Sequence, residues 1–448
     1  MSEVKKVSTR ILSAIAFNDH SENLRHTQKM AIEKTSESRH ARPLHKFLAP
    51  IGGVVILAFC TNHALGQERF LPLPTDIVLS TSVHTRGGKQ DSLRTLDQAW
   101  RAQPQNLDAA LAYARAVFNL GLSEGDLRWF GSAKAALSPW WRASDLPAEA
   151  YFLRGLVKQG FHGFDEGLQD INSAIELEPS RPEFWSWRFA LHLLLADMTS
   201  ARQDTEEIAR RLGEEEANVY RAVLLYRTGQ PLQAVQLLKQ AVQSPNYQDA
   251  GSQDWLGFHL GEAHRVAGQP DMAIQVWRER LKLSTRSHLL RLSLAELLNK
   301  QGQYQQARAT ASDQTDLSNL SDALLMQALL ASRGTKNADE ARLADMMEAR
   351  LKTQALRQEA LIERPKLVYQ ISYGKDLTSG LALSIENWRL QKEPPDALLF
   401  VQAALALGQA PAAEPVALWM EQTGYSDPEL SAAIKQLKSH PSWKGLRP

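Results

Sequence analysis

The sequence has very little cysteine and almost no net charge. A single cysteine, Cys60, among 448 residues excludes internal disulfides and a zinc site built from several cysteines. The net charge is +1, and residues 67–448 hold 42 Lys and Arg against 45 Asp and Glu. The body of the chain therefore lacks the basic excess that neutralises phosphates, and nucleic acid is not an expected partner.

An apolar segment long enough to span a membrane is also missing from the start of the chain. Leu48–Cys60 is apolar over 13 residues, whereas a transmembrane helix needs roughly 20. Basic residues precede this segment, and Ala64-Leu65-Gly66 follows it, which is typical of a secretory signal. We expect residues 1–66 to be a leader that is cleaved after Gly66, giving a periplasmic or secreted chain that begins at Gln67.

Other interpretations of the leader stay open. The basic part is 46 residues long, so the true start could be Met30 rather than Met1. An uncleaved leader would anchor the protein in the inner membrane through residues 47–60. Cys60 could be lipidated, although Phe59 is bulkier than a lipoprotein signal prefers, and the segment could also be a buried helix. Residues 67–90 are expected to form an extended lead-in.

Beyond Asp91 the pattern is helical and repetitive. In the clearest unit, Ala148–Gly155 predicts one helix, Asp165–Leu177 predicts a second, and Pro179 ends the unit. A small residue recurs near the start of each second helix, at Gly167, Ala201, Ala234, Ala273, Ala307, Ala341, Ala382 and Ala417. Small residues also occur in first helices, at Gly155, Ala222, Gly261 and Ala295, and Gly229, Gly268 and Gly302 are suited to a left-handed turn between helices.

This register resembles the tetratricopeptide repeat family, in which small residues let the paired helices approach. The resemblance implies an all-α, right-handed superhelical solenoid of antiparallel helix pairs. It covers residues 91–345 well. Residues 346–448 are expected to contain a long charged helical stretch near Asp339–Ile362, degenerate repeat-like units and a short C-terminal cap at Pro428–Leu437. The block Gly125–Trp141 resembles exported bacterial proteins of this family with no assigned function.

No constellation of catalytic residues stands out in the sequence. His259 and His264 are five residues apart, about 140° around a helix, so they do not form a metal-binding pair on one face. The motifs of serine hydrolases and of phosphate-binding loops are missing. We therefore expect no enzymatic activity, no cofactor and no metal.

The tryptophans are mostly expected in the core. Trp185, Trp187, Trp255, Trp277 and Trp388 fall within helical units. Trp140 and Trp141 are adjacent, so at least one of them is a candidate surface anchor.

The concave face of such a solenoid is expected to bind an extended or helical segment of another protein. Offsets from the small first-helix residues give the following candidate partner-binding groove: Phe152, Leu156, Gln159, Val219, Val223, Tyr226, Phe258, Glu262, Arg265, Leu292, Glu296, Asn299, Met326 and Arg333. The expected function is a non-catalytic, exported protein-interaction scaffold. The alternative is an envelope assembly factor tethered by its uncleaved leader, and the oligomeric state is open.

The register makes a prediction about Ala273. Ala273→Leu adds three carbons where two helices approach, and such overpacking costs about 1–3 kcal/mol. Because a solenoid is stabilised unit by unit, the damage should stay local. Limited proteolysis should cut residues 255–310 first and spare the units before Ala234. Uniform protection, or uniform loss, would contradict the register.

Overall fold

A computed structural model describes residues 58–59, 89–126, 128–285, 287–312, 316–356, 361–362 and 364–443. The expected leader, apart from Ala58–Phe59, and most of the lead-in lie outside these residues. Within them, no helix combines the length and the apolar character needed to cross a membrane. Two short strands, β1 (Ala58–Phe59) and β2 (Leu361–Ile362), pair in antiparallel fashion.

Helices make up almost all of the described chain and alternate between two sets. Helix α1 (Lys89–Ala102) precedes the pairs, and α20 (Pro428–Ser439) follows them. The first helices of the pairs are α2 (Leu107–Glu124), α4 (Ala148–Gly160), α6 (Pro182–Leu194), α8 (Glu214–Arg227), α10 (Ala250–Val266), α12 (His288–Lys300), α14 (Asp322–Gly334), α16 (Arg364–Ile371) and α18 (Pro394–Ala406). The second helices are α3 (Arg128–Leu137), α5 (Phe164–Leu177), α7 (Met198–Leu212), α9 (Pro231–Gln243), α11 (Pro270–Leu283), α13 (Tyr304–Ser312), α15 (Glu340–Leu356), α17 (Leu377–Leu390) and α19 (Glu414–Thr423).

From α1 to α15 and again from α16 to α18, each helix packs against the next along the chain, and α18 packs against α20. Several first helices also pack against the first helix of the following pair. This arrangement confirms the predicted all-α solenoid of helix pairs and its resemblance to tetratricopeptide repeats. The predicted limit of the regular repeats, at residue 345, falls inside α15, which packs on α14 as its second helix. Of the expected helical stretch Asp339–Ile362, the structure describes α15 (Glu340–Leu356) and the strand β2 (Leu361–Ile362).

In the pairs from α4–α5 onward, the fourth residue of the second helix is small or buried where the two helices meet, whereas the fourth residue of α3, Gly131, is exposed. Ala201, Ala234, Ala273 and Ala307 are fully buried at this position. In the pair α4–α5, glycines from both helices meet, and a methyl group at Gly155 would lie 2.8 Å from the carbonyl oxygen of Gly167. Helices therefore approach more closely there than any side chain would allow.

Two of the positions predicted for the small residue at the helix contact are wrong. Ala341 and Ala382 are exposed, and the buried fourth positions of α15 and α17 are Leu343 and Gly380. A methyl group at Gly380 would lie 2.6 Å from a side-chain carbon of Ile371. Longer connections before these helices move their starts, so counting from the preceding alanine selects the wrong residue.

The turns between paired helices need a left-handed residue. Gly229, Gly268 and Gly302 have φ of 81°, 73° and 70°, which confirms their predicted role. At the corresponding position of two other turns, His162 and Ala196 adopt the same conformation with φ of 58° and 63°.

The N-terminal pair also contacts a distant part of the solenoid. Gly125, which ends α2 with φ of 64°, packs directly on the ring of His288 at the start of α12. His288 Nε2 shares a hydrogen bond of 2.7 Å with the Ser321 hydroxyl. Burial, with a further contribution from Arg291, lowers the pKa of His288 to about 4. This contact therefore requires a neutral imidazole.

The His288 contact predicts a pH-dependent stability. Between about pH 6.5 and 4 the unfolded chain protonates His288 while the folded chain does not, so acidification should destabilise the fold by up to about 1.4 kcal/mol per pH unit. His288→Gln, which keeps a hydrogen-bonding group, should lose that part of the slope. Urea midpoints from pH 7 to 4.5 measure it, and parallel slopes for the two chains would show that His288 is not involved.

Candidate protein-binding surface

Nine of the predicted groove residues are buried rather than open to a partner. They are Phe152, Leu156, Gln159, Val219, Val223, Tyr226, Phe258, Leu292 and Met326. Phe152 stacks on Phe184 with ring centroids 4.5 Å apart, and the Tyr226 hydroxyl shares a hydrogen bond of 2.8 Å with His259 Nδ1. These side chains form the core. Their contact with a partner stays a prediction.

The other five predicted groove residues are polar and only partly covered. Arg265 forms an ion pair with Glu262 at 3.0 Å. Burial raises the pKa of Glu296, an effect that the positive charge of Arg364 opposes. Asn299 Nδ2 donates to the backbone oxygen of Gln327 at 2.9 Å, and Arg333, which is exposed, donates to the backbone oxygen of Tyr373.

Three of the first helices end in a basic side chain that faces the C-terminal part of the same chain. We name Arg227 of α8, Arg265 of α10 and Lys300 of α12 the basic row. Cations at helix C-termini are favoured by the partial negative charge of the last carbonyls. The basic row is thus one positive charge from each of three successive repeats.

Acidic residues at the starts of α18 and α20 contact the basic row. Arg227 NH1 and NH2 each lie 3.2 Å from Glu393 Oε1, and Lys300 Nζ lies 2.7 Å from Glu429 Oε2. Arg265 NH1 is 3.8 Å from Asp427 Oδ2. We name Glu393, Asp427 and Glu429 the acidic helix starts. Acids are favoured at helix N-termini, so both the charges and the helix ends are complementary across this contact.

Backbone contacts accompany the charges. The Lys392 N–H donates to the carbonyl of Leu194, the last residue of α6, at 2.8 Å. A methyl group on Gly229 would overlap the carbonyl oxygen of Gly424, and one on Gly268 would lie 3.2 Å from a ring carbon of Pro428. Gly229 and Gly268 therefore serve two purposes, a left-handed turn and the approach of the C-terminal segment. Among the described residues, Gly302 has no such neighbour.

Further polar groups keep the C-terminal pairs together beside this contact. Asp396 is buried and accepts hydrogen bonds from Arg364 Nε at 2.6 Å, Asn387 Nδ2 at 3.0 Å and Gln391 Nε2 at 2.9 Å. The Tyr425 hydroxyl donates to Asp427 Oδ2 at 2.8 Å. The carboxylate of Asp427 is thus oriented before it meets Arg265.

Sequence reasoning missed a buried ion pair that occurs in two successive repeats. Arg154 donates to Asp170 at 2.7 and 2.6 Å, and Arg188 donates to Asp204 at 3.0 and 2.6 Å. Both members recur after one repeat of 34 residues, the difference between 154 and 188 and between 170 and 204. That recurrence after 34 residues is the sequence signal that could have identified the two ion pairs.

A second charged cluster joins three first helices. Arg115 of α2 contacts Glu149 of α4 and lies 2.9 Å from Glu183 of α6, and Arg181 contacts the same two carboxylates at 2.7 and 3.1 Å. Burial raises the pKa of Glu183, and the arginines oppose that effect. Ion pairing between neighbouring repeats therefore explains why these four charged side chains lie together.

The residues considered for metal binding and for anchoring can now be placed. His259 and His264 are both buried, and His264 Nδ1 lies 2.6 Å from Gln269 Oε1, so the two rings have separate partners. In the part of the chain that the structure describes, no three His, Cys, Asp or Glu side chains are grouped to hold a metal. Five predicted core tryptophans, at positions 185, 187, 255, 277 and 388, are buried, while Trp140 and Trp141 are half-buried.

Comparison with known proteins gives structural likeness only. No protein-family model and no curated protein matches the chain. A tetratricopeptide repeat protein from Parabacteroides merdae is 16% identical with a TM-score of 0.39, over 54% of this chain and 92% of that one. A Rap protein complexed with competence and sporulation factor is 12% identical with a TM-score of 0.41, over 79% of this chain and 98% of that one.

A third similar structure is the APC/C hetero-tetramer Cut9–Hcn1. It is 12% identical with a TM-score of 0.36, over 78% of this chain and 52% of that one, so the chain spans about half of the length of that structure. The fold class of the present chain rests on its own helix pairs and repeat register.

The two turn glycines give a matched test of the contact. Gly302→Ala should cost only the left-handed conformation, about 1–2 kcal/mol. Gly229→Ala has the same cost and also overlaps Gly424, so it should loosen the C-terminal segment. Amide hydrogen exchange of residues 420–440 should rise in Gly229→Ala and stay unchanged in Gly302→Ala. Equal exchange in the two variants would mean that Gly229 does not contact this segment.

Proposed function

We propose that the protein is a non-catalytic scaffold that binds a protein or peptide segment on the concave side of its helix-pair solenoid. The observation that supports this is the contact between the basic row and the acidic helix starts. The inner ends of three first helices already hold helical segments that are far away in sequence. The surface is therefore of a kind that binds helices.

The polar groups buried in the described repeats are consistent with a scaffold. Asp204 is fully buried and contacts Arg188 and His192, the latter through Nδ1 at 2.8 Å. Asp170 is buried against Arg154 and Lys158. In such pairs the carboxylates are bound by neighbouring basic side chains between the helices. This structural role explains the buried carboxylates without a catalytic reaction.

For the location of the protein we propose export and cleavage near Gly66, as residues 47–66 indicate. The alternative proposal is an envelope assembly factor held at the inner membrane by residues 47–60. N-terminal sequencing of the protein from its native host separates the two, since Gln67 as the first residue supports cleavage. An intact leader in the membrane fraction supports tethering.

Site-specific photo-crosslinking tests the scaffold. A benzoylphenylalanine at Gln301, an exposed residue next to Lys300, should give a discrete protein adduct in the envelope fraction. The matched control replaces Leu283, the last residue of α11, which is 77% exposed. An adduct at position 301 and none at 283 is the expected result. No adduct at 301, or the same adducts at both positions, would refute binding on this side.

A further inference from the structure

We infer that the basic row is a docking site for acidic helix starts, and that a partner binds there with such a segment in place of the chain's own. The inference rests on the proposed function and names the chemistry of the partner. That chemistry is an acidic residue directly before a proline that begins a helix, rather than an acidic chain terminus.

The chain presents this pattern to the basic row twice. Glu393 precedes Pro394 at the start of α18, and Asp427 precedes Pro428 at the start of α20. Proline at the first helical position fixes the backbone and needs no hydrogen-bond acceptor, so the acidic side chain is held at a defined place. Two separate helices thus meet the same row with the same local arrangement.

The pairing that the chain makes for itself leaves binding capacity in the row. Arg227 uses Nη1 and Nη2 on a single oxygen of Glu393, and Nη2 also donates to the backbone oxygen of Lys392 at 3.3 Å. Its buried Nε finds no acceptor among the described residues. The 3.8 Å separation between Arg265 and Asp427 is too long for a hydrogen bond. Lys300 and Glu429 retain 40% and 43% of their side-chain exposure. A partner carboxylate could therefore pair more fully than the resident ones do.

The packing around the basic row favours replacement of the chain's own acidic helix starts by a partner segment over their permanent attachment. Contacts of α18 and α20 with α8, α10 and α12 are sparse, whereas α18 packs extensively on α17 and α20. Trp388, Trp419 and Tyr425 form successive ring contacts, with centroids 5.4 and 5.1 Å apart, inside the C-terminal part. The C-terminal pairs are thus held together by their own contacts. At the basic row, a partner must replace the charge pairs together with the Lys392–Leu194 hydrogen bond and the approach of Gly424 to Gly229.

A labelled peptide tests the inference on the full chain. The probe is a fluorescein-labelled peptide of residues 423–440, and its control has Asp427→Asn and Glu429→Gln, which keep the helix cap and remove the charges. Binding is measured by fluorescence anisotropy to the wild-type chain and to a full chain with the same two substitutions, whose resident segment is weakened. Circular dichroism verifies that each chain is folded.

We expect the acidic peptide to bind the weakened chain at least tenfold more tightly than the wild-type chain, because the row is then less occupied. The neutral peptide should bind at least tenfold more weakly than the acidic one. Adding Lys300→Glu to the weakened chain should abolish binding, and rising salt should weaken it.

Two results would overturn the inference. One is equal binding of acidic and neutral peptides, or no binding to the weakened chain. The other is a wild-type dimer that the acidic peptide dissociates, which would assign the row to a second copy of this chain. A crosslinked partner at Gln301 combined with failure of the peptide would refute this inference and leave the scaffold function standing. Peptide binding without any adduct would show that the row binds the chain's own acidic segment, and it would refute the scaffold function and with it a partner at the row.

Discussion

The structure depends on how closely two paired helices can approach at the fourth residue of the second helix, in the pairs from α4–α5 onward. Ala201, Ala234, Ala273 and Ala307 are fully buried there, and glycines on both sides bring α4 and α5 still closer. Interiors packed this densely leave little freedom in the angle between neighbours. Because each pair sets the position of the next, these small contacts determine the curvature of the whole solenoid.

Contacts between distant parts of the chain accompany this packing. The start of α12 meets the end of α2 through His288 and Gly125, and the basic row meets the acidic helix starts. All the apolar residues of the predicted groove are buried. At the basic row, charge at helix ends, as at Lys300 and Glu429, is what remains partly exposed.

The sequence predicts the parts of this structure that are local. A turn glycine with positive φ is followed five residues later by the buried alanine of the next helix, so both lie close together in the sequence. This spacing identifies two such pairs, Gly229 and Ala234, and Gly268 and Ala273. Ala341 and Ala382 were misassigned because longer connections shift the helix starts. The pairing of Lys300 with Glu429 spans 129 residues and depends on curvature summed over several pairs, which spacing alone does not contain.

Zero-length carbodiimide crosslinking tests most directly whether the C-terminal segment lies against the basic row. Lys300 Nζ and Glu429 Oε2 are 2.7 Å apart, as are Lys438 Nζ and Glu421 Oε1 within the C-terminal part. We expect mass spectrometry of the monomeric chain to find both amide links, with the first lost in Gly229→Ala. Recovery of the Lys438–Glu421 link without any Lys300–Glu429 link would contradict the contact between the C-terminal segment and the basic row.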